Sequence, residues 1–336
     1  METLRIGMIS FAHIGHATSY ARCLKQIPGV ELVAVADDDE VRGREQAANF
    51  GTEFYTDYHD LLARGDIAAV VVCSENARHR EMVVAAAQAG KHVLCEKPLA
   101  TTREDGLAMV VACREARVKL QIAFPMRFSP PAVALRDAVR AGAVGTPLMV
   151  QATNPGRMPP GWFSDPALAG GGAVMDHTVH VADMLRWIFE REITSVYAEI
   201  DTRIHPGLPT DDVGLLLLGL DGGISASLDA SWARAKTWPI WGGVTMDVIG
   251  DKGVVSLNAF NQNVQLFDDR AGTYSLVPFA ASGDPPLVQG FIDAIRNDTD
   301  PPVTGEDGLR ALEVTLCAYE SARRHEPVAC PDCLLR

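Results

Sequence analysis

Short apolar runs alternate with helical periodicity along the first third of the chain. Leu4–Ile9 and His92–Cys95, together with residues 32–36, 70–72 and 120–123, are dominated by apolar side chains and read as buried strands. Between them, residues 17–26, 41–50, 78–89 and 103–116 repeat apolar positions every three or four residues, the signature of amphipathic helices. Strands without polar alternation, separated by helices, pair in parallel with helices on both faces. Residues 1–123 are therefore expected to form an α/β, doubly wound domain.

After Phe124 the pattern changes. A helix over Pro130–Arg140 leads to a strand over Pro147–Thr153, then to a Pro/Gly-rich loop at 154–165. Gly170-Gly171-Gly172 opens a long amphipathic helix over Ala173–Phe189. Strands are expected at Ile193–Asp201, 213–218, 224–232, 244–249, 254–257 and 264–267, separated by turns such as Asp221-Gly222-Gly223. Short turns between strands imply antiparallel pairing. Two late helices, at 287–297 and 306–323, close the chain. Residues 124–336 are expected to form one α+β domain with a large, mostly antiparallel sheet.

Composition narrows the function classes. The chain has 336 residues, 47% hydrophobic and 22% charged, the balance of an ordinary globular protein. A net charge of −13 argues against nucleic acid and against a polybasic membrane anchor. The opening Met1-Glu2-Thr3 lacks the charged and apolar regions of a secretory leader, and no apolar stretch approaches a bilayer's span, so a cytoplasmic protein is expected. The seven cysteines read mainly as small core residues in a reducing compartment. Cys330-Pro331-Asp332-Cys333 is a lone Cys-x-x-Cys with no second ligand pair.

The chemistry concentrates at strand ends. Ser10, Phe11, Ala12, His13, Ile14 and Gly15 occupy the first strand-to-helix turn, where a dinucleotide fingerprint places glycines at 10, 12 and 15. Only Gly15 remains, yet the helix N-terminus still offers backbone N–H groups to phosphate. Asp37, 22 residues past Gly15 at the end of the second strand, is placed to accept bonds from a ribose diol and to repel a 2′-phosphate, favouring NAD over NADP. Asp39 reads as a helix cap. Glu96-Lys97-Pro98 follows the fourth apolar strand, and Pro98 keeps Lys97 out of helical geometry at the ligand-binding edge. On the glycine-opened helix, Asp176, His180, Asp183 and Trp187 form one stripe, and a carboxylate beside a histidine suits general-base work. Read alone, the same helix equally fits a core histidine with a paired neighbour.

These segments resemble the Gfo/Idh/MocA oxidoreductases. The resemblance runs from about Leu4 to Val328 and includes Ser74-Glu75-Asn76-Ala77-Arg78-His79, the stretch 89–98 ending in Glu96-Lys97-Pro98, Met126-Arg127-Phe128, and Gly170-Gly171-Gly172 followed by Asp176 and His180. It implies a Rossmann domain followed by a domain whose open sheet backs the substrate pocket. It further implies that Lys97 contacts the reacting hydroxyl and the nicotinamide ribose, that His180 is the acid/base, and that Asp176 positions substrate and His180. Ser74, Asn76, Glu96 and Arg127 would help seat the cofactor, with His79 supporting that wall.

The expected function is NAD-dependent oxidation of a secondary hydroxyl of a sugar, inositol or related polyol, by a homodimer or homotetramer. Alternatives are an enzyme that retains NAD and uses transient oxidation for elimination, epimerisation or glycoside cleavage, and a non-catalytic NAD-sensing regulator. His13 and His16 beside the phosphate loop depart from the family pattern, as does His177. His177 is expected to add a polar wall to the substrate pocket rather than bind metal, and no metal is expected elsewhere. Arg157 is a further substrate-contact candidate, and Trp232, Trp238 and Trp241 are weaker ones.

Overall fold

The computed structural model describes residues 3–261, 263–268, 273–278 and 282–331. The chain divides into two compact units. The first contains residues 1–125, 167–170 and 284–312, and the second contains 126–166, 171–283 and 313–336.

The first unit is built on six parallel strands: β1 (Leu4–Ile9), β2 (Val30–Ala36), β3 (Glu53–Tyr55), β4 (Ala69–Val72), β5 (His92–Cys95) and β6 (Leu120–Ile122). Their order, β3-β2-β1-β4-β5-β6, is that of a Rossmann sheet, with the direction of winding switching between β1 and β4. Helices α1 (Ile14–Gln26), α2 (Glu40–Phe50), α3 (Tyr58–Leu62), α4 (His79–Gln88) and α5 (Arg103–Glu115) make the connections. All four residues of β4 are buried, as a central strand covered on both faces requires. Asp39 and Thr102 cap α2 and α5 with side-chain oxygens on Arg42 N–H and Asp105 N–H, as an extended N-cap residue allows.

In the second unit, α6 (Pro130–Arg140) precedes β7 (Pro147–Thr153), and α8 (Ala173–Phe189) follows the short α7 (Pro166–Ala169), most of which belongs to the first unit. Strands β8 (Ile193–Asp201), β9 (Val213–Leu220), β10 (Ile224–Asp229), β11 (Thr245–Gly250) and β12 (Val254–Asn258) follow, and β13 (Asn263–Asp268) and β14 (Thr273–Pro278) form a separate antiparallel hairpin. The large sheet runs β12-β11-β7-β10-β9-β8-β15, with β15 at Val328–Ala329. It is antiparallel except where β10 lies parallel to β7. Arg127, just before α6, makes a bidentate bond to Asp183 of α8 (Nε–Oδ2 2.8 Å, Nη2–Oδ1 2.5 Å), with both side chains buried. A buried ion pair of this kind resists removal of either partner.

The late helices divide between the two units. Helix α9 (Asp284–Asn297) and the start of α10 (Gly305–Arg324) belong to the first unit, so the second does not extend unbroken to the C-terminus. Leu287, Val288, Phe291 and Ile292 are buried there. Ser19 Oγ donates to Asp284 Oδ2, Gln121 Nε2 donates to the Leu287 carbonyl, and Ile122 N–H donates to the Val303 carbonyl. The helical period of 287–297 reveals an apolar face without saying which unit that face covers.

Candidate functional site

In the first unit the residues expected to hold the cofactor converge at the carboxyl ends of β1, β2, β4 and β5. Ser10 follows β1 with φ +64°, the left-handed backbone that explains a glycine at this place in the fingerprint. Serine meets that demand with its own side chain, whose Oγ accepts Ala12 N–H at 3.1 Å. Nothing lies within 4 Å of where a Cβ on Gly15 would sit, and Ile14 is half exposed, so the first turn of α1 is open to an incoming ligand. An open helix N-terminus on a Rossmann switch point fits a dinucleotide's pyrophosphate.

Asp37 lies directly after β2 as expected, but its carboxylate is already engaged. Oδ2 accepts Phe11 N–H and Arg42 Nε–H, both at 2.8 Å, and Oδ1 accepts Asp39 N–H at 3.0 Å and Arg42 Nη2–H at 2.6 Å. Four donors match the capacity of a carboxylate. Arg42 also neutralises the charge that would repel a 2′-phosphate. Replacing Arg42 with alanine is expected to widen the preference for NAD over NADP, measured as the ratio of kcat/KM values, by about fivefold, the equivalent of one exposed charge interaction of about 1 kcal/mol. An unchanged or narrowed ratio would remove Arg42 from cofactor selection.

The segment after β5 is braced from several sides. Glu96 is buried, with Oε1 2.9 Å from His16 Nδ1 and Oε2 accepting Lys97 N–H at 3.1 Å. Burial alone would raise the Glu96 carboxyl, but the charge and hydrogen bond of His16, with His13 and Lys97 adding to it, hold it well below the usual carboxylate range. His16 is pulled down by burial and more strongly upward by Glu96, a net rise. The His79 ring lies 2.9 Å from the Pro98 carbonyl and 3.2 Å from the Ser74 carbonyl, and burial holds its pKa down against the pull of both. His79 thereby ties the segment after β4 to the one carrying Lys97. Asn76 Nδ2 donates to the Ala169 carbonyl at 2.8 Å.

In the second unit the site is built on the first two turns of α8. A Cβ on Gly172 would sit 1.9 Å from the Asp211 carbonyl oxygen, so only glycine allows this approach. The Asp211 carboxylate accepts Gly172 N–H at 2.9 Å, Val174 N–H at 2.7 Å and the Tyr319 hydroxyl at 2.7 Å, satisfying the start of the helix. Asp176 Oδ2 accepts Trp232 Nε1–H at 3.2 Å and lies 3.2 Å from His177 Nε2. Asp176, His177 and His180 are all buried. Asn154 Nδ2 donates to the His177 carbonyl at 3.1 Å, and Gly156 packs so closely on the His177 ring that a Cβ there would lie 2.5 Å from it. Trp241 meets the same ring edge-on at 6.3 Å.

The sequence singles out Asp176, His177 and His180 but not the side chains that hold them. Trp232 is a fully buried core residue whose indole N–H orients Asp176. Trp238 stacks on Arg234, with the guanidinium carbon 4.1 Å from the ring centroid. Arg127 sits on Asp183, and Arg157 is exposed on its loop, its backbone N–H bonded to the Trp241 carbonyl. Asp211 carried only a weak signal, an acidic pair preceding β9.

Two family models match the chain: an oxidoreductase family with an NAD-binding Rossmann fold over residues 4–124, and the GFO/IDH/MocA C-terminal domain over residues 132–256. The chain belongs to the GFO/IDH/MocA family. It is 33% identical to a myo-inositol 2-dehydrogenase of Thermotoga maritima, over 97% of this chain and 98% of that one. It is 32% identical to a 1,5-anhydro-D-fructose reductase of Ensifer adhaerens, over 88% and 89% of the two chains. A solved structure of a probable dehydrogenase from Thermotoga maritima superposes with a TM-score of 0.85 at 29% identity, covering 97% of this chain and 99% of that one. The protein is thus an NAD-dependent oxidoreductase with a Rossmann unit. No helix among the described residues is long and apolar enough to cross a membrane.

Proposed function

We propose that this oxidoreductase oxidises a secondary hydroxyl of a sugar, inositol or related polyol, with Lys97, Asp176 and His180 at the reacting centre. The observation that carries the reading is on α8: Asp176 is fixed by Trp232 and His177, and His180 follows one turn later on the same helix face. The names of the inositol and anhydrofructose relatives support a polyol or sugar substrate. Neither relative's name favours the retained-cofactor or sensor alternatives.

NAD, when bound, would supply the hydride acceptor for this oxidation. His180 takes the hydroxyl proton as the C–H bond breaks, and returns it when the ketone is reduced. The Asp176 carboxylate, already oriented, holds the substrate and favours the protonated imidazole. Lys97 donates from Nζ to the reacting oxygen and to the nicotinamide ribose. His177 and Arg157 add polar contacts to the substrate. Ser10 to Gly15 would hold the pyrophosphate, Asp37 would serve the ribose diol, and Ser74, Asn76 and Glu96 would complete the cofactor wall. Arg127 enters this reading as a brace for α8 through Asp183 rather than as a cofactor ligand.

The test is titration of the protein with NAD and NADP, followed by a panel of inositols, sugars and linear polyols monitored at the nicotinamide absorbance band. NADH formation on one substrate class supports the proposal. NAD binding with no NADH formed across the panel would overturn it.

The protein also assembles, in this reading, through one face of the large sheet. Leu215 and Leu217 of β9 are 60% and 59% exposed, and Met149 of β7 shares their face. Large apolar side chains left exposed on a sheet face mark an interaction surface. Changing Leu215 and Leu217 together to lysine is expected to shift the protein to monomers in sedimentation velocity, whereas a wild-type monomer would end this reading.

A further inference from the structure

We propose that His13, His16 and Glu96 form a binding site for a borderline divalent transition-metal ion of the Zn²⁺ class, at the turn between β1 and α1. One ligating atom from each of the three residues lies within 4.8 Å of the other two, the only such cluster among the described residues. The residue types are two imidazoles and a carboxylate, a donor set that suits zinc and its neighbours in the first transition row.

Three features of the geometry bring these donors together and leave room for an ion. The His13 and His16 rings are stacked, with centroids 4.0 Å apart and planes inclined by 14°. Glu96 is buried, and the Lys97 backbone N–H on its second oxygen fixes its orientation while its first oxygen faces His16. Outer partners of this kind aim a ligating carboxylate. Both histidines are partly exposed, which leaves the remaining coordination position to water or an added oxygen donor. His13 is the N-cap of α1, its Nδ1 accepting His16 N–H at 3.5 Å, and His16 lies in the first turn with its Nδ1 on Glu96, so ligation requires both side chains to rotate from these bonds.

The experiment uses nucleotide-free full-length protein carrying Cys330→Ser and Cys333→Ser, so that the terminal Cys-x-x-Cys takes no metal. Co²⁺ is titrated while visible absorption is followed, then displaced with Zn²⁺. The expected result is about one Co²⁺ per chain with a d–d band, and affinity at least about tenfold weaker in His13→Gln and in His16→Gln. His59→Gln, an exposed histidine paired with Asp57, leaves it unchanged. Circular dichroism verifies the fold of each variant, and partial exposure of His13 and His16 makes glutamine tolerable at both positions. Absence of a band in the parent protein, or equal Co²⁺ affinity in the parent and either folded glutamine variant, would overturn the proposal. Because no substrate or nucleotide is present, failure here leaves the polyol reading untouched.

Discussion

Replacing His180 with asparagine is expected to lower kcat for polyol oxidation by about 10²–10⁴-fold, the usual contribution of a positioned general base. Asparagine retains hydrogen-bonding groups and a compatible volume but has no nitrogen that can take the hydroxyl proton. The loss should fall on kcat, with a smaller change in KM, because substrate contacts from Asp176 and His177 persist. The pH profile gives the sharper readout. In the wild type, kcat/KM rises with pH as the base loses its proton, and in the variant that limb disappears. NAD affinity, followed by quenching of protein fluorescence, should change little. A variant that keeps the wild-type rising limb would show that another group carries the proton.

Lys97→Met should reduce turnover by about 10²–10³-fold, the cost of removing one donor aimed at a reacting oxygen. Methionine preserves the length and most of the apolar stem while deleting the ammonium. Unlike the histidine change, this substitution should also weaken NAD binding, since the proposed role includes the nicotinamide ribose. Arginine should rescue poorly, because its planar fork presents charge differently from a compact ammonium. The buried brace around the segment, from Glu96 to Lys97 N–H and from His79 to the Pro98 carbonyl, involves main-chain atoms of the Lys97-Pro98 segment. The fold should therefore survive loss of the side-chain charge, and a thermal melt near that of the wild type is the control. Turnover close to wild type would remove Lys97 from the reacting centre.

The parts of this protein that sequence made legible were those with a period or a motif. Five apolar runs placed the strands of the first sheet, because buried parallel strands leave continuous apolar runs that few other structures produce. Short elements escaped. β3 has three residues and α3 has five, too few to display either period. Pairings between distant residues escaped for another reason. Arg127 and Asp183 are 56 positions apart, and nothing in either neighbourhood announces the other. Asp37 and Arg42 are closer, but they join a strand end to the first turn of a helix, where the i,i+4 rule for helix faces does not apply. At Ser10 the loss of a glycine was visible, whereas the left-handed backbone that the serine still adopts is a property of the fold.

The membership of Asp284–Leu312 in the first unit has a consequence for how the protein is made. A nascent chain emerges from the ribosome N-terminus first, and domains generally fold in that order. Here residues 1–125 leave the tunnel early, yet α9, the carbonyl of Val303 and the start of α10 are synthesised only in the last part of the chain. Until then the α1 and β6 surfaces that they cover stay open to water and to other chains. The nucleotide-binding unit thus matures only after most of the second unit has appeared. An N-terminal fragment ending at residue 125 is therefore a poor stand-in for it, and gene fusions or exchanges between relatives preserve the unit only when they carry both of its distant segments.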